Sequence, residues 1–466
     1  MSQSTVREWT ETDIDEAVRK QKLYFAGLET RSVAFRLAQL HRLKEAVKRN
    51  EEDILKALYM DLGKSDMEAY TSEVGFVYQE INLTVKKLKK WAKQRRVKTA
   101  LTHIGSKGWV QPEPYGTVLI IAPWNYPFQL VLAPLIGAMA AGNTAVIKPS
   151  ELTPNVSKVM ARIIGDFFHP DYLAVIEGGL EASQALLKQP FDYIFFTGST
   201  GVGKVVMEAA AKRLIPVTLE LGGKSPCIVH NDANVKLAAK RIAFGKFMNV
   251  GQTCIAPDYL YVHQSMKPQL ILAIQEAVEQ FYGSDPIRLD RYGKIVNEKH
   301  FNRLLAYLKD GTVVYGGTYD ADKHKIAPTL LDQVDWNDAV MQDEIFGPIL
   351  PIIAYDDLQD VIDTVNRHPK PLALYLFSDN ADVQRRITTS ISFGGGCIND
   401  TLMHIATPHL PFGGVGGSGM GSYHGEYSFQ TFSHYKSILK QTNRFDLSFR
   451  YPSSRNKLGL VKRIMK

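Results

Sequence analysis

Cysteine is scarce in this chain: Cys227, Cys254 and Cys397 are the only three among 466 residues. Three thiols cannot build a disulfide framework, and no CxxC or Cys/His pair has zinc-site spacing. A disulfide-stapled scaffold is therefore excluded, and no metal is expected. A basic start followed by an apolar core is missing from MSQSTVREWTETDIDEAV. Nothing there resembles a signal peptide, so reduced thiols and a cytoplasmic location are expected. Internal repeats and low-complexity tracts are absent too, which argues against solenoid, collagen-like and disordered chains. Long hydrophobic runs are the last absence. The uncharged stretch Pro114–Ile147 comes nearest, but Pro123, Asn125, Pro127, Gln129 and Gly142-Asn143 interrupt it, so it cannot span a membrane as one helix.

What is present is a globular composition, 45% hydrophobic and 22% charged, in a length that allows roughly two to four domains. The net charge of +7 is uneven. Lys86–Lys98 carries eight basic residues and no acidic one, and Arg444–Lys466 a net +6; removing both from +7 leaves −7. The basic character therefore belongs to two segments, and the body is mildly acidic. Lys86–Lys98 reads as a solvated helix face. Its single aromatic, Trp91, gives no interleaved stacking pattern for nucleic acid.

From Thr117 onward apolar runs alternate with helical patterns. Strands are predicted at Thr117–Ala122, Thr144–Lys148, Leu173–Ile176, Tyr193–Phe196 and Pro216–Leu221. Helices are predicted between them, one opened by a Thr153 N-cap hydroxyl and Pro154. Five strands alternating with helices imply a doubly wound α/β sheet. Further strands are predicted at Pro226–Val229, Tyr259–Val262 and Leu372–Phe377. Amphipathic helices precede the sheet at Ser32–Lys48 and Asp53–Leu62.

Four motifs carry chemistry. The loop Phe196-Thr197-Gly198-Ser199-Thr200-Gly201-Val202-Gly203-Lys204 joins a strand to a helix, where N–H groups and the helix dipole favour a phosphate. Gly198–Lys204 matches the first seven positions of a phosphate loop, but Val205 replaces the Mg²⁺-binding hydroxyl. The loop also lacks the third glycine of a dinucleotide fingerprint, so on its own it reads as a packing turn. Cys254, in Val250-Gly251-Gln252-Thr253-Cys254, lies in a polar loop where a thiolate can be tuned. Cys227 sits inside an apolar strand, and Cys397 has no acid or base beside it in sequence. Glu220, between Leu219 and Leu221 at a strand end, is placed for desolvation and general-base work. Asn125, in Pro123-Trp124-Asn125-Tyr126-Pro127, could donate to an oxyanion, although the segment also fits a Pro-bounded turn.

Taken together and in order, these motifs, with Lys148-Pro149-Ser150-Glu151 and Glu344-Ile345-Phe346-Gly347-Pro348, resemble the NAD(P)-dependent aldehyde dehydrogenases from about Ser32 to about Ser437. Pro411-Phe412-Gly413-Gly414-Val415-Gly416 and the segment after it are similar to the class 3 branch, dimeric enzymes for aromatic and medium- to long-chain aldehydes. Gly417 and Ser453-Ser454 depart from that branch. The resemblance implies an aldehyde dehydrogenase-like α/β fold with a Rossmann-type cofactor domain (1–98 and 116–221) and a catalytic domain (222–422). A bridging β element (99–115 and 423–445) and a basic tail (446–466) complete it. It implies that the Cys254 thiolate attacks the aldehyde, that Asn125 and the Cys254 N–H hold the oxyanion, and that Glu220 activates the water which hydrolyses the thioester. Gly198 and Ser199 would approach the cofactor pyrophosphate, Lys148 and Glu151 the adenosine ribose, and Glu344 the nicotinamide ribose. Phe346 would pack near the ring, with Trp124, Val202 and Leu221 completing the cofactor set. A carboxylate at Glu151 favours NAD, with NADP second.

Other readings make different demands. A phosphate-loop nucleotidase leaves Cys254, Glu220 and Asn125 without roles. A cofactor-free cysteine hydrolase needs a histidine base. A coenzyme A-acylating or semialdehyde-specific relative is closer, but the acylating version has no use for Glu220. In the tail, Leu458, Leu460, Val461, Ile464 and Met465 alternate with Arg455, Lys457, Lys462, Arg463 and Lys466. That pattern fits a short basic helix on anionic lipid, or equally a tail packed on a partner subunit.

Overall fold

A computed structural model describes residues 9–447, 450–451 and 458–465. Its centre is the uncharged stretch. Thr117–Ile121 and Thr144–Lys148 are neighbouring parallel strands, and the helix between them, Gln129–Ala141, is buried at every position. A helix apolar around its whole circumference requires cover on all sides. It gets that cover from the sheet and from helices Val33–Arg49, Gly75–Trp91 and Glu426–Thr431.

The parallel strands lie in the order Leu173–Val175, Thr144–Lys148, Thr117–Ile121, Tyr193–Thr197, Val217–Glu220. The chain builds outward from Thr117–Ile121 in one direction and then returns to build in the other. The reversal falls between Thr117–Ile121 and Tyr193–Thr197, and the crevice beyond the carboxyl ends of such a pair is where open α/β sheets take ligands. A short sixth strand, Gly419–Met420, pairs antiparallel with Val217–Glu220, placing Gly419 opposite Glu220. Residues 419–420, expected in the catalytic domain, thus join the first sheet.

A second sheet of seven strands runs Thr312–Tyr315, Thr329–Asp332, Ile349–Tyr355, Tyr259–His263, Pro226–Val229, Ala373–Phe377, Gly395–Ile398. It is parallel except at the Thr312–Tyr315 edge. A third sheet joins Arg95–Val97, Lys107–Pro114 and Ser433–Lys440, all antiparallel. It starts at Arg95, inside the basic run and before the expected Thr99. The run Lys86–Lys98 is therefore helix only as far as Trp91, and Arg95–Val97 is an exposed strand.

One local expectation is corrected. Thr153 is the N-cap of helix Pro154–Phe167, but its side chain makes no capping bond. The Asp61 carboxylate caps instead, accepting from Asn155 N at 3.3 Å and Val156 N at 2.9 Å. A carboxylate at a helix N-terminus also complements the macrodipole, so a distant residue has taken over the hydroxyl's role. Among the described residues no helix is long and apolar enough to cross a membrane. The tail holds a helix, Leu458–Met465; Ser453, Ser454, Arg455, Lys457 and Lys466, like residues 1–8, lie outside the described residues.

Candidate active site

The loops after Thr117–Ile121, Tyr193–Thr197 and Val217–Glu220 meet the loop before Tyr259–His263 around one cavity of about 1020 Å³. Trp124, Asn125, Gly198, Ser199, Glu220, Leu221, Cys254, Glu344 and Phe346 all line it. Three residues expected at the site do not. Lys148 ends the next strand over and Glu151 lies in the turn beyond it, and Val202 lies half-exposed in the first turn of helix Thr200–Ala211.

Cys254 is half-buried, in the turn that follows helix Val235–Phe247 and the tight turn Met248–Gly251. Asn249 and Val250 there have φ of 51° and 56°, and a β-branched residue in the left-handed region is strained. Surrounding bonds hold the turn. Asn249 Nδ2 donates to the carbonyls of Asn125 (2.9 Å) and Gln252 (3.1 Å), and Asn249 N donates to Glu68 Oε1 at 2.6 Å. Burial, and then the Glu344 and Glu220 carboxyls, push the Cys254 thiol above its ordinary range.

Glu220 ends the last strand of the first sheet. It is 2% exposed, and among the described residues neither carboxylate oxygen has a hydrogen-bond partner. Burial alone raises its proton affinity well above the carboxylate range. Asn125 is buried on the opposite loop, and its Nδ2 donates to the Gln252 carbonyl at 3.1 Å, next to the nucleophile turn. A thiol, a carboxyl without hydrogen-bond partners among the described residues and an amide donor therefore share one cavity, the set needed for acyl chemistry through a covalent intermediate.

The cofactor side is built by close backbone approach. Ser199 caps helix Thr200–Ala211, its side chain accepting from Val202 N, while Gly198 N donates to the Glu220 carbonyl at 3.0 Å; the helix start itself suits an anion. A Cβ on Gly222 would lie 2.0 Å from Glu344 Oε2, so only glycine admits that carboxylate, whose Oε1 has no partner. Burial and then Asp258 raise Glu344 to about 8, against the opposing bond from Gly223 N. Phe346, at φ 51°, meets Trp124 edge-on with ring centroids 5.3 Å apart. Lys148 Nζ is buried and donates to Pro149 O at 2.8 Å and Glu151 Oε2 at 3.1 Å. Burial pulls it down, opposed by Glu151. An orphaned acidic acceptor over a glycine and a helix start in the same cavity fit a ribose hydroxyl pair and a pyrophosphate.

Sequence reasoning missed two features. Helices Glu51–Leu62 and Gly75–Trp91 are joined by a segment whose Thr71 and Ser72 line the cavity beside Phe76 of the second helix, and whose Lys64 and Glu73 are buried. No motif marks these residues, because charges in an amphipathic helical region read as surface. Cys397, for its part, has a partner after all: its Sγ lies 3.5 Å from His404 Nδ1. The fold brings that histidine back against the strand. Cys227 is fully buried in strand Pro226–Val229.

The family model described as "Aldehyde dehydrogenase family" matches residues 2–438. The chain is similar to 4,4'-diaponeurosporen-aldehyde dehydrogenase of Staphylococcus aureus, 51% identical over 97% of this chain and 99% of that one. It is also similar to the "Aldehyde dehydrogenase, dimeric NADP-preferring" of Canis lupus familiaris, 45% identical over 96% and 99%. Among solved structures, the substrate-bound state of Staphylococcus aureus AldH superposes with a TM-score of 0.96 at 51% identity, covering 97% of this chain and 99% of that one.

Proposed function

The chain belongs to the aldehyde dehydrogenase family and is an NAD(P)-dependent enzyme that oxidises aldehydes; from that premise we propose that Cys254, Glu220 and Asn125 carry the reaction. The observation that supports the assignment best is that the half-buried Cys254 thiol shares the cavity wall with a carboxylate that has no hydrogen-bond partner among the described residues. Cys254 gives up its proton to solvent, and the thiolate attacks the carbonyl carbon. Asn125 Nδ2 and the Cys254 N–H hold the oxyanion that forms. When bound, the nicotinamide dinucleotide supplies the hydride acceptor that turns the thiohemiacetal into a thioester. Glu220 then takes a proton from water, which attacks the thioester and expels the Cys254 thiolate as the acid forms.

Gly198, Ser199, Glu344 and Phe346 would hold the cofactor from within the cavity, with Trp124 and Leu221 beside them and Lys148, Glu151 and Val202 at its adenosine end. The Glu151 carboxylate would repel a 2′-phosphate, which supports NAD ahead of NADP. For substrate we propose a medium- to long-chain aliphatic or an aromatic aldehyde. Phe76, Leu130, Phe244, Met248, Met403 and Ile405 give the cavity a broad apolar wall, which supports an apolar aldehyde as substrate. A cytoplasmic homodimer is part of the same reading, supported by three unpaired thiols and by the word "dimeric" in one relative's name.

Cys254→Ala should abolish aldehyde-dependent NADH formation. Glu220→Gln should still give a single-turnover burst, with steady-state turnover lowered about 10²–10⁴-fold. Retained turnover in either variant overturns that residue's role. An acyl-CoA product in place of the free acid would favour the coenzyme A-acylating relative.

A further inference from the structure

Lys64 and Glu73 form an ion pair that is closed off from solvent on both sides. Neither takes part in the chemistry above, yet each remaining bond ends on the loop that carries Asn125. Lys64 Nζ donates to the Asn125 carbonyl at 2.9 Å and lies 4.1 Å from the centre of the Tyr126 ring. The other Glu73 oxygen accepts from Phe128 N at 2.8 Å and Gln129 N at 3.2 Å. Helix Gln129–Ala141 has no side-chain cap of its own, so Glu73 caps it from another element. One pair therefore pins both ends of the short span between Asn125 and the helix.

The local backbone explains how Glu73 gets there. Tyr70–Val74 is a π turn set between helical segments Asp66–Ala69 and Gly75–Trp91. The extra residue in such a turn rotates the following side chains about the axis, and these insertions concentrate at functional sites. The neighbouring Glu68 accepts from Asn249 N in the nucleophile turn, so the segment touches both halves of the site. Asn125 then needs its carbonyl, fixed by Lys64 and Asn249, to stay put if its Nδ2 is to meet an oxyanion at the right place. An amide donor misplaced by a fraction of an ångström loses much of its transition-state contribution.

We propose that Lys64 and Glu73 are positioning residues for the Asn125 amide in the tetrahedral step, an inference that rests on reading Asn125 as the oxyanion donor. The test compares Glu73→Gln, Lys64→Met, Asn125→Ala and the doubles Lys64→Met/Asn125→Ala and Glu73→Gln/Asn125→Ala. It reads kcat/KM for aldehyde oxidation, KM for NAD, alkylation of Cys254 by iodoacetamide, and thermal melting. Alkylation develops no oxyanion, so it reports the nucleophile apart from its amide. Each single variant at Lys64 or Glu73 should lower kcat/KM by about tenfold or more, with KM for NAD and the alkylation rate within about twofold of wild type. On the Asn125→Ala background the same changes should cost less than about threefold, since residues that act through one another are not additive. Glu73→Gln keeps the side chain's shape and carries the test if Lys64→Met does not fold. Wild-type kcat/KM in both single variants, losses that multiply on the Asn125→Ala background, or alkylation falling in step with turnover would each overturn the proposal. Wild-type turnover in Asn125→Ala itself would overturn the reading beneath it, whatever Lys64 does.

Discussion

Glu220 is a carboxylate that the surrounding fold leaves unsatisfied, and that has a consequence for stability as well as chemistry. Burial holds its proton affinity above that of the unfolded chain, so the native state binds the proton more tightly. Its contribution to stability is therefore complete below the ordinary carboxylate range and is lost as pH rises through the raised value. Glu220→Gln removes the charge and hence this loss. The variant should come nearest to wild type at about pH 5 and exceed it in stability at about pH 8, where the enzyme is expected to work. Thermal melts at the two pH values check this, and a gap that narrows with rising pH would contradict it. Such a cost fits a residue kept for turnover at the expense of stability. Glu220 was legible in the sequence because a charge between two leucines at a strand end stands out. Lys64 and Glu73 were not, because their burial comes from helices closing over them.

The elements that position these residues differ in how far the chain foretells them. The strands from Thr117 to Glu220 were readable because a parallel sheet covered on both faces needs uninterrupted apolar runs. Strands Thr329–Asp332, Ile349–Tyr355 and Gly395–Ile398 passed unnoticed, since glycines, prolines and mixed polarity conceal them until a neighbouring strand supplies their partners. The nucleophile turn was read as a loop, but its tightness is a tertiary property. Gly251 has φ of 74°, and a Cβ there would lie 2.1 Å from the Gly347 carbonyl oxygen. The turn that presents Cys254 is thus seated directly on the segment that presents Glu344 and Phe346. Gly251→Ala should force the two apart, lowering kcat about 100-fold or more and stability by about 1–3 kcal/mol. Steady-state assays with chemical denaturation read both effects, and an alanine variant with wild-type kcat would show the two loops to be independent.

Every site residue named above belongs to one chain, and the third sheet stands apart from the cavity. Its strand Ser433–Lys440 pairs along its whole length with Lys107–Pro114 and forms an edge. A free edge of that length is a template for pairing with another copy unless something covers it. Tyr435 and Leu439 on it are 42% and 53% exposed, large apolar groups that a second subunit would shelter. The sequence showed this region only as a hairpin with a late strand, because pairing between strands so far apart leaves no local periodicity to read. This edge is a candidate interface for the proposed homodimer, for which light scattering on wild type should give twice the monomer mass at micromolar concentration. Tyr435→Asp with Leu439→Asp should shift the protein to monomer, since two buried like charges at a self-paired edge are repulsive as well as desolvated. Because the catalytic and cofactor groups come from one chain, the monomeric variant should keep kcat within about threefold while melting earlier. A wild-type monomer, or a variant that remains dimeric, would move the interface elsewhere.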